Sequence, residues 1–374
     1  VAGQGRGILQ QPMMDYKFYS EDQSLEKNFN LISGVVPEDR VINDIREAYD
    51  FEGALVYVDS NIFSSSHVKK EIFDQRLNKS LITKMLIDRS FETGLSENDF
   101  NNKIQQLAKL GIDTKDMIFV FNRSAYHEWM DKHIEQIILI DLFAISAAIR
   151  HVIYRQPVCE VDVKDRPNKI NFLVGKVNKP SRLLLLKKFF ESSIKNDTVF
   201  SILGLPKDTT DKNFLKFLID NQGPIDGAAT MELEQGTSSQ GWGNNSTPYN
   251  NTSVSFICET HETNDSLFIT EKTYRPIINK HPFVARASFP LLKYLRAIGF
   301  KTFNDFVDEN YDDESRIDNE YTELLVTRAQ ELLEITKNHP EKIQDVVDHN
   351  YKMLIKFAQS ELALFNKRIF DSLK

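Results

Sequence analysis

The residues best suited to chemistry in this 374-residue chain stand together in Phe268-Ile269-Thr270-Glu271-Lys272-Thr273-Tyr274-Arg275-Pro276. An apolar run, Val254 to Cys258, leads through a polar turn, Glu259 to Ser266, to an acid-base pair placed where a helix should begin. Thr270 suits a helix N-cap and Glu271 the first turn, where the helix dipole favours an acid, so one reading of the segment is packing alone. The other reading is an anion site. Amides exposed at a helix N-terminus bind anions, Lys272 beside them would hold a phosphate, and Glu271 would accept hydrogen bonds from sugar hydroxyls.

A second group of interest is Asp59, at the end of Gly53-Ala54-Leu55-Val56-Tyr57-Val58-Asp59. The run reads as a buried parallel strand, and ligands in open α/β sheets bind at the carboxyl ends of strands, so Asp59 is a candidate acceptor contact or base. A turn or helix cap is the alternative use of an Asp there. His127 and His133 are not spaced as a helical i, i+4 pair and read as surface or packing residues, not as a metal site. The two cysteines, Cys159 and Cys258, make no disulfide framework and no cysteine-based zinc site, and they point to a reducing compartment.

These groups need elements to hold them. At 374 residues two domains are expected, and 41% hydrophobic residues with 26 Phe and 12 Tyr describe a folded protein with Phe-rich cores. The formal net charge of -8 is spread along the chain and gives no global drive toward nucleic acid. The longest apolar stretch, Ile137 to Ile149, is broken by Asp141 and is too short to span a bilayer. Val1 to Gly7 lack an initiator Met and any leader pattern, and residues 1–12 read as a cloning remnant or disordered start. A cytoplasmic location is the expectation.

Strand and helix patterns alternate. Glu97 to Leu110 reads as a helix ending at Gly111, Asp116 to Asn122 as a strand, and Tyr126 to Met130 and Ile134 to Arg150 as helices. Residues 13–160 therefore read as a Rossmann-like half, and the charged stretch Val158 to Lys169 as a linker. In 168–306 a strand at Lys169 to Gly175, a helix from Arg182 to Phe190, a strand at Thr198 to Gly204 and a helix at Asp211 to Asp220 follow. Gln235 to Thr252 reads as a long polar loop. Pro282 to Ala285 should be a strand, Pro290 to Ile298 a helix and Phe300 to Phe303 a short strand, and 307–374 ends in helices.

Phe256-Ile257-Cys258-Glu259, Phe268-Ile269-Thr270-Glu271-Lys272, Pro282-Phe283-Val284 and Phe300-Lys301-Thr302-Phe303 resemble the donor-binding region of alpha-1,3-fucosyltransferase-like enzymes of the GT-B architecture. Glu271-Lys272-Thr273-Tyr274-Arg275-Pro276 and Leu292-Lys293-Tyr294-Leu295-Arg296, with Gly299 to Phe303, are similar to uncharacterised glycosyltransferase-like proteins of bacteriophages and marine viruses. Asn178-Lys179-Pro180-Ser181-Arg182 resembles a basic turn of the same viral proteins.

The resemblance implies two Rossmann-like α/β domains facing a cleft, with C-terminal helices bracing the first domain. It also implies transfer of a sugar from a nucleoside-diphosphate sugar to a hydroxyl, with no cofactor and no metal. Arg182, with Asn178 in its turn, and Lys272 with the amides near Thr270 would hold the diphosphate. Glu271 would bind ribose, Tyr274 would line the base pocket, and either Glu259 or Glu262 would contact the sugar or stabilise charge at its anomeric carbon. Asp59, Asp141 and His127 are the choices for a base, with Asp59 preferred for its strand end.

Ala285-Arg286-Ala287 departs from the Gly that such enzymes carry, which leaves the donor open. The acceptor implied is a hydroxymethylated base in viral DNA, with Lys69, Lys70, Lys79 and Lys84 as a possible groove, or a surface glycan or protein. A catalytically inert binding module of the same shape is the competing reading. A nucleotidyltransferase or phosphatase is disfavoured, because no metal-binding acidic cluster and no phosphate-cradling Gly-rich loop is apparent.

Overall fold

The computed structural model describes residues 15–19, 40–42, 44–59, 67–89, 97–125, 137–152, 155–177, 179–203, 205–206, 211–222, 246–259, 267–312 and 318–374. The first sheet holds β1 (Tyr16–Tyr19), β2 (Val41–Ile42), β3 (Ala54–Asp59), β4 (Thr83–Arg89), β5 (Met117–Asn122) and β6 (Ile137–Ile140). Every pairing in it is parallel, in the order β2-β1-β3-β4-β5-β6. Helices α1 (Ile45–Asp50), α2 (His67–Asn78), α3 (Glu97–Lys109) and α4 (Leu142–Val152) connect or follow the strands. All six residues of β5 are buried, as a strand covered on both faces requires. Gly111, at a φ of +82°, ends the turn after α3.

One sequence expectation fails in this half, and two strands go unread. The polar start conceals β1 and β2, which are too short to show a pattern. Ile134 to Arg150 is not one helix: Ile137–Ile140 pairs with β5 in the register Phe119↔Ile137, and α4 begins only at Leu142. A short apolar run has no periodicity that separates strand from helix. The break is Asp141, whose Oδ1 accepts from Ala144 N at 3.1 Å in the manner of a helix cap. Tyr126 to Met130, expected as a helix, lies outside the described residues.

The second sheet is β7 (Ile170–Lys176), β8 (Thr198–Leu203), β9 (Val254–Cys258) and β10 (Phe283–Arg286), parallel throughout, in the order β10-β9-β7-β8. Its helices are α5 (Pro180–Glu191), α6 (Lys212–Asp220), α7 (Thr247–Asn250), α8 (Glu271–Ile278) and α9 (Leu291–Ala297). The aromatic richness goes into this core. Phe172 lies 4.9 Å from both Phe189 and Phe256, centroid to centroid, and 6.1 Å from Phe200.

The polar stretch before β9 is not structureless to its end, since α7 forms within it and buries Tyr249. Phe300 to Phe303 is not a strand either. At Lys301 one side chain takes the place of a neighbouring strand: Asn350 Oδ1 accepts from Lys301 N and Asn350 Nδ2 donates to Lys301 O, both at 2.8 Å.

Two long helices close the chain, α10 (Asp318–Asn338) and α11 (Pro340–Ser372). Helix α10 packs on α5, β9 and β10. The 33 residues of α11 reach about 50 Å at 1.5 Å per residue. Its first half, with Ile343, Val347 and Leu354, belongs to the second core, and Phe365 and Ile369 belong to the first. The protein is thus two Rossmann-like parallel sheets, with α10 packed on the second and α11 spanning both. Among the described residues no helix is long and apolar enough to cross a membrane.

Candidate functional site

Strand β9 delivers Glu259 to the carboxyl edge of the second sheet, where it is fully buried. Its carboxyl group accepts from Thr270 N at 3.1 Å, Thr270 Oγ1 at 2.5 Å and Thr273 Oγ1 at 2.6 Å. The carboxyl therefore pins the first turn of α8. Thr270 is the N-cap, and its Oγ1 accepts from Lys272 N at 3.3 Å. The capping reading and the site reading of this segment are compatible, because the cap is what fixes the position of the charges.

Those charges are Glu271 and Lys272, paired at 2.8 Å and left partly exposed, at 21% and 29% of their side chains. Burial alone would raise the Glu271 pKa, but Lys272 and Arg275 outweigh it and hold the carboxyl below the usual carboxylate range. Tyr249 of α7 lies within the field of the same groups. Burial pushes its phenol up to about 12, with Arg275 opposing and Glu271 reinforcing the shift.

Arg182 reaches the same edge from α5, whose first turn has no side-chain cap. It is buried, and its Nη2 donates to Glu259 O at 3.0 Å. The guanidinium expected on a diphosphate thus also ties the turn after β7 to the end of β9. Those two strands are neighbours, so the N-termini of α5 and α8 sit side by side at the carboxyl edge.

The first sheet meets this edge through its own carboxyl ends. Ser124, just after β5, accepts on Oγ from Ile269 N at 3.2 Å, while its N and Oγ donate to Asn122 Oδ1 at 3.0 and 2.6 Å. Asp141, just after β6, is fully buried and accepts from the Tyr274 hydroxyl. Tyr274 is itself 0% exposed, so in this structure it fills the junction between the sheets and does not line an open base pocket. Glu361 of α11 accepts from Asp141 N at 2.8 Å and from Arg123 Nη2 at 2.8 Å.

Asp59 ends β3, but its side chain lies outside the described residues. Strand β3 is two places from β5 in the sheet, about 10 Å at the usual strand spacing, and β5 and β6 are the strands that reach the second sheet. Asn178, Glu262, His127, His133 and the Lys69 side chain are also outside the described residues. Each of the other lysines of the expected groove is paired with an acid. Lys70 pairs with Asp74, Lys79 with Asp50 and Lys84 with Asp116, and Lys70 and Lys79 flank opposite ends of α2.

Sequence reasoning missed Arg123, Ser124 and Glu361 altogether. The sequence carried no signal for them, since the contacts that bring them to this junction, Arg123 with Glu361 and Ser124 with Ile269, join positions more than 100 apart. Among the described residues no group of three His, Cys, Asp or Glu is arranged to hold a metal.

No protein-family model matches the chain, and no curated protein matches it either. Among solved structures it is similar to a mutant of the O-GlcNAc transferase of Thermobaculum terrenum, at 9% identity and a TM-score of 0.48, over 97% of this chain and 68% of that one. It is also similar to an S. aureus TarM mutant in complex with fondaparinux, alpha-GlcNAc-glycerol and UDP, at 11% identity and a TM-score of 0.35. That match covers 84% of this chain and 55% of the other.

Proposed function

We propose that the protein is a glycosyltransferase that moves a sugar from a nucleoside-diphosphate sugar to an acceptor hydroxyl. The observation that carries this reading is the start of α8: a capped helix N-terminus with Lys272 and Glu271 partly exposed beside it, at a carboxyl sheet edge that faces the carboxyl edge of another sheet. Such an edge is where open parallel sheets take ligands. The amides and Lys272 supply positive potential for a departing diphosphate, and Glu271, held ionised, is an acceptor for ribose hydroxyls.

On this reading the leaving group is screened by Lys272, the helix amides and Arg182, without a metal ion. Glu259 takes a positioning role: with its carboxyl engaged by Thr270 and Thr273, it sets the geometry of the helix start and does not itself reach the sugar. Asp59 stays the proposed base. For the acceptor, the pairing of Lys70, Lys79 and Lys84 with acids favours a glycan or protein hydroxyl over a hydroxymethylated base in DNA.

A thermal-shift screen of UDP, GDP and their sugar conjugates tests the reading. A ligand at a hundred times its dissociation constant adds about 2.7 kcal/mol to stability, a rise of a few degrees for a chain of this size. A melting temperature unmoved by every nucleoside diphosphate at millimolar concentration overturns it. Binding without transfer to any hydroxyl leaves the inert binding module.

A further inference from the structure

The junction between the sheets holds a cluster that the proposed donor site does not use. Asp141 accepts from Ala144 N at 3.1 Å on one oxygen and from the Tyr274 hydroxyl on the other. Its own amide donates to Glu361, which Arg123 grips at 2.8 Å. From α9 the Tyr294 hydroxyl adds a buried polar group with no hydrogen-bond partner among the described residues. The cluster gathers the ends of β5 and β6, the helix α8 that Thr270 caps, the spanning helix α11, and α9.

The charged groups that face Asp141 are Glu361 and Arg123, and the other titratable ones are Tyr274 and Tyr294. Glu361 and Arg123 neutralise one another. The buried cluster is therefore neutral only when Asp141 carries a proton, and an ionised Asp141 adds a negative charge with no cation of its own to a site away from water.

We propose that Asp141 and Tyr274 form a positioning pair that docks the Thr270–Lys272 helix start against the first sheet, and that a proton on Asp141 tightens this docking. The ligand arm of the test rests on the donor-site reading above; the docking itself does not. Burial raises the Asp141 pKa to about 7, with the Tyr274 hydroxyl and the Ala144 amide opposing, Glu361 adding and Arg123 opposing. Separating the sheets hydrates Asp141 and returns it to the ordinary carboxylate range near ~4. The docked state thus holds one more proton between those values. The ratio of docked to separated molecules falls up to about tenfold per pH unit as pH rises through that window, and levels off above the upper value.

The full chain, labelled for energy transfer through Lys115→Cys in the first unit and Lys216→Cys in the second, reads the separation from pH 5 to 9. Both positions are exposed, whereas Cys159 and Cys258 are buried. The expected result is a loss of transfer with rising pH in the parent and a flat, high-transfer profile in Asp141→Asn, which keeps an acceptor for Tyr274 without the charge. Tyr274→Phe, the second variant, lowers transfer across the range. A parent profile that is flat, or Asp141→Asn following the parent transition, overturns the proposal.

Affinity for UDP and GDP at pH 5.5 and 8 completes the test, with a weaker value at pH 8 expected in the parent and equal values in Asp141→Asn. If neither nucleotide binds while the energy-transfer result stands, the donor-site reading falls and the positioning pair survives.

Discussion

Replacing Glu259 with Ala removes the acceptor of three donors at the start of α8, the Thr270 amide and the Thr270 and Thr273 hydroxyls, all buried. A net hydrogen bond is worth about 0.5–3 kcal/mol, and a donor left unsatisfied in the interior incurs its desolvation penalty, so three independent losses would sum to well above 3 kcal/mol. The hydroxyls can rotate toward other acceptors, which recovers part of this. We expect Glu259→Ala to cost roughly 3–5 kcal/mol, and Glu259→Gln, which keeps one carbonyl and offers an amide to a Thr oxygen, about 1–3 kcal/mol.

Urea denaturation of the three proteins gives these differences as midpoint shifts at constant slope. Native-state hydrogen exchange should locate the damage, with the amides of 270–273 losing protection ahead of the strands. A cost below about 1 kcal/mol for Glu259→Ala would refute the reasoning, because the carboxyl would then not be what holds the helix start.

Two further outcomes concern scaffolding away from the junction. Arg76 is wholly buried and donates to Thr83 Oγ1 and to the carbonyls of Ala48, Phe51, Gly53 and Ile82; Arg76→Met should cost at least about 3 kcal/mol in the same denaturation assay, with Arg76→Lys recovering only part because an ammonium has three donors. Asn350→Ala should cost about 1–3 kcal/mol and raise exchange at Lys301, since one side chain satisfies both backbone groups of that residue.

The sequence made most of the strands legible because buried parallel strands are short continuous apolar runs between polar turns. Met117–Asn122 and Val254–Cys258 are such runs, and both are strands. It failed where the deciding interaction is distant. Ile137–Ile140 looks like the first turn of a helix until β5 is beside it, and that error hid Asp141 as a strand-end residue. Lys301 looks like part of a strand until Asn350 supplies its partners.

At the site, Thr270, Glu271 and Lys272 were legible because a capped helix start is a local pattern. The burial of Tyr274 and the engagement of Glu259 were not, since both follow from elements that meet only in the folded chain. Arg123 and Glu361, 238 positions apart, have no local signature at all.

The central claim is that the partly exposed charge at the start of α8 binds a diphosphate, and titration calorimetry of UDP and GDP against the parent and Lys272→Ala tests it most directly. One charge-assisted hydrogen bond to phosphate is worth about 1.5–3 kcal/mol, so Lys272→Ala should weaken the dissociation constant of whichever nucleotide binds by roughly ten- to a hundredfold, with the fold intact. Equal affinity in the two proteins, or no heat of binding from either nucleotide at millimolar concentration, would contradict it.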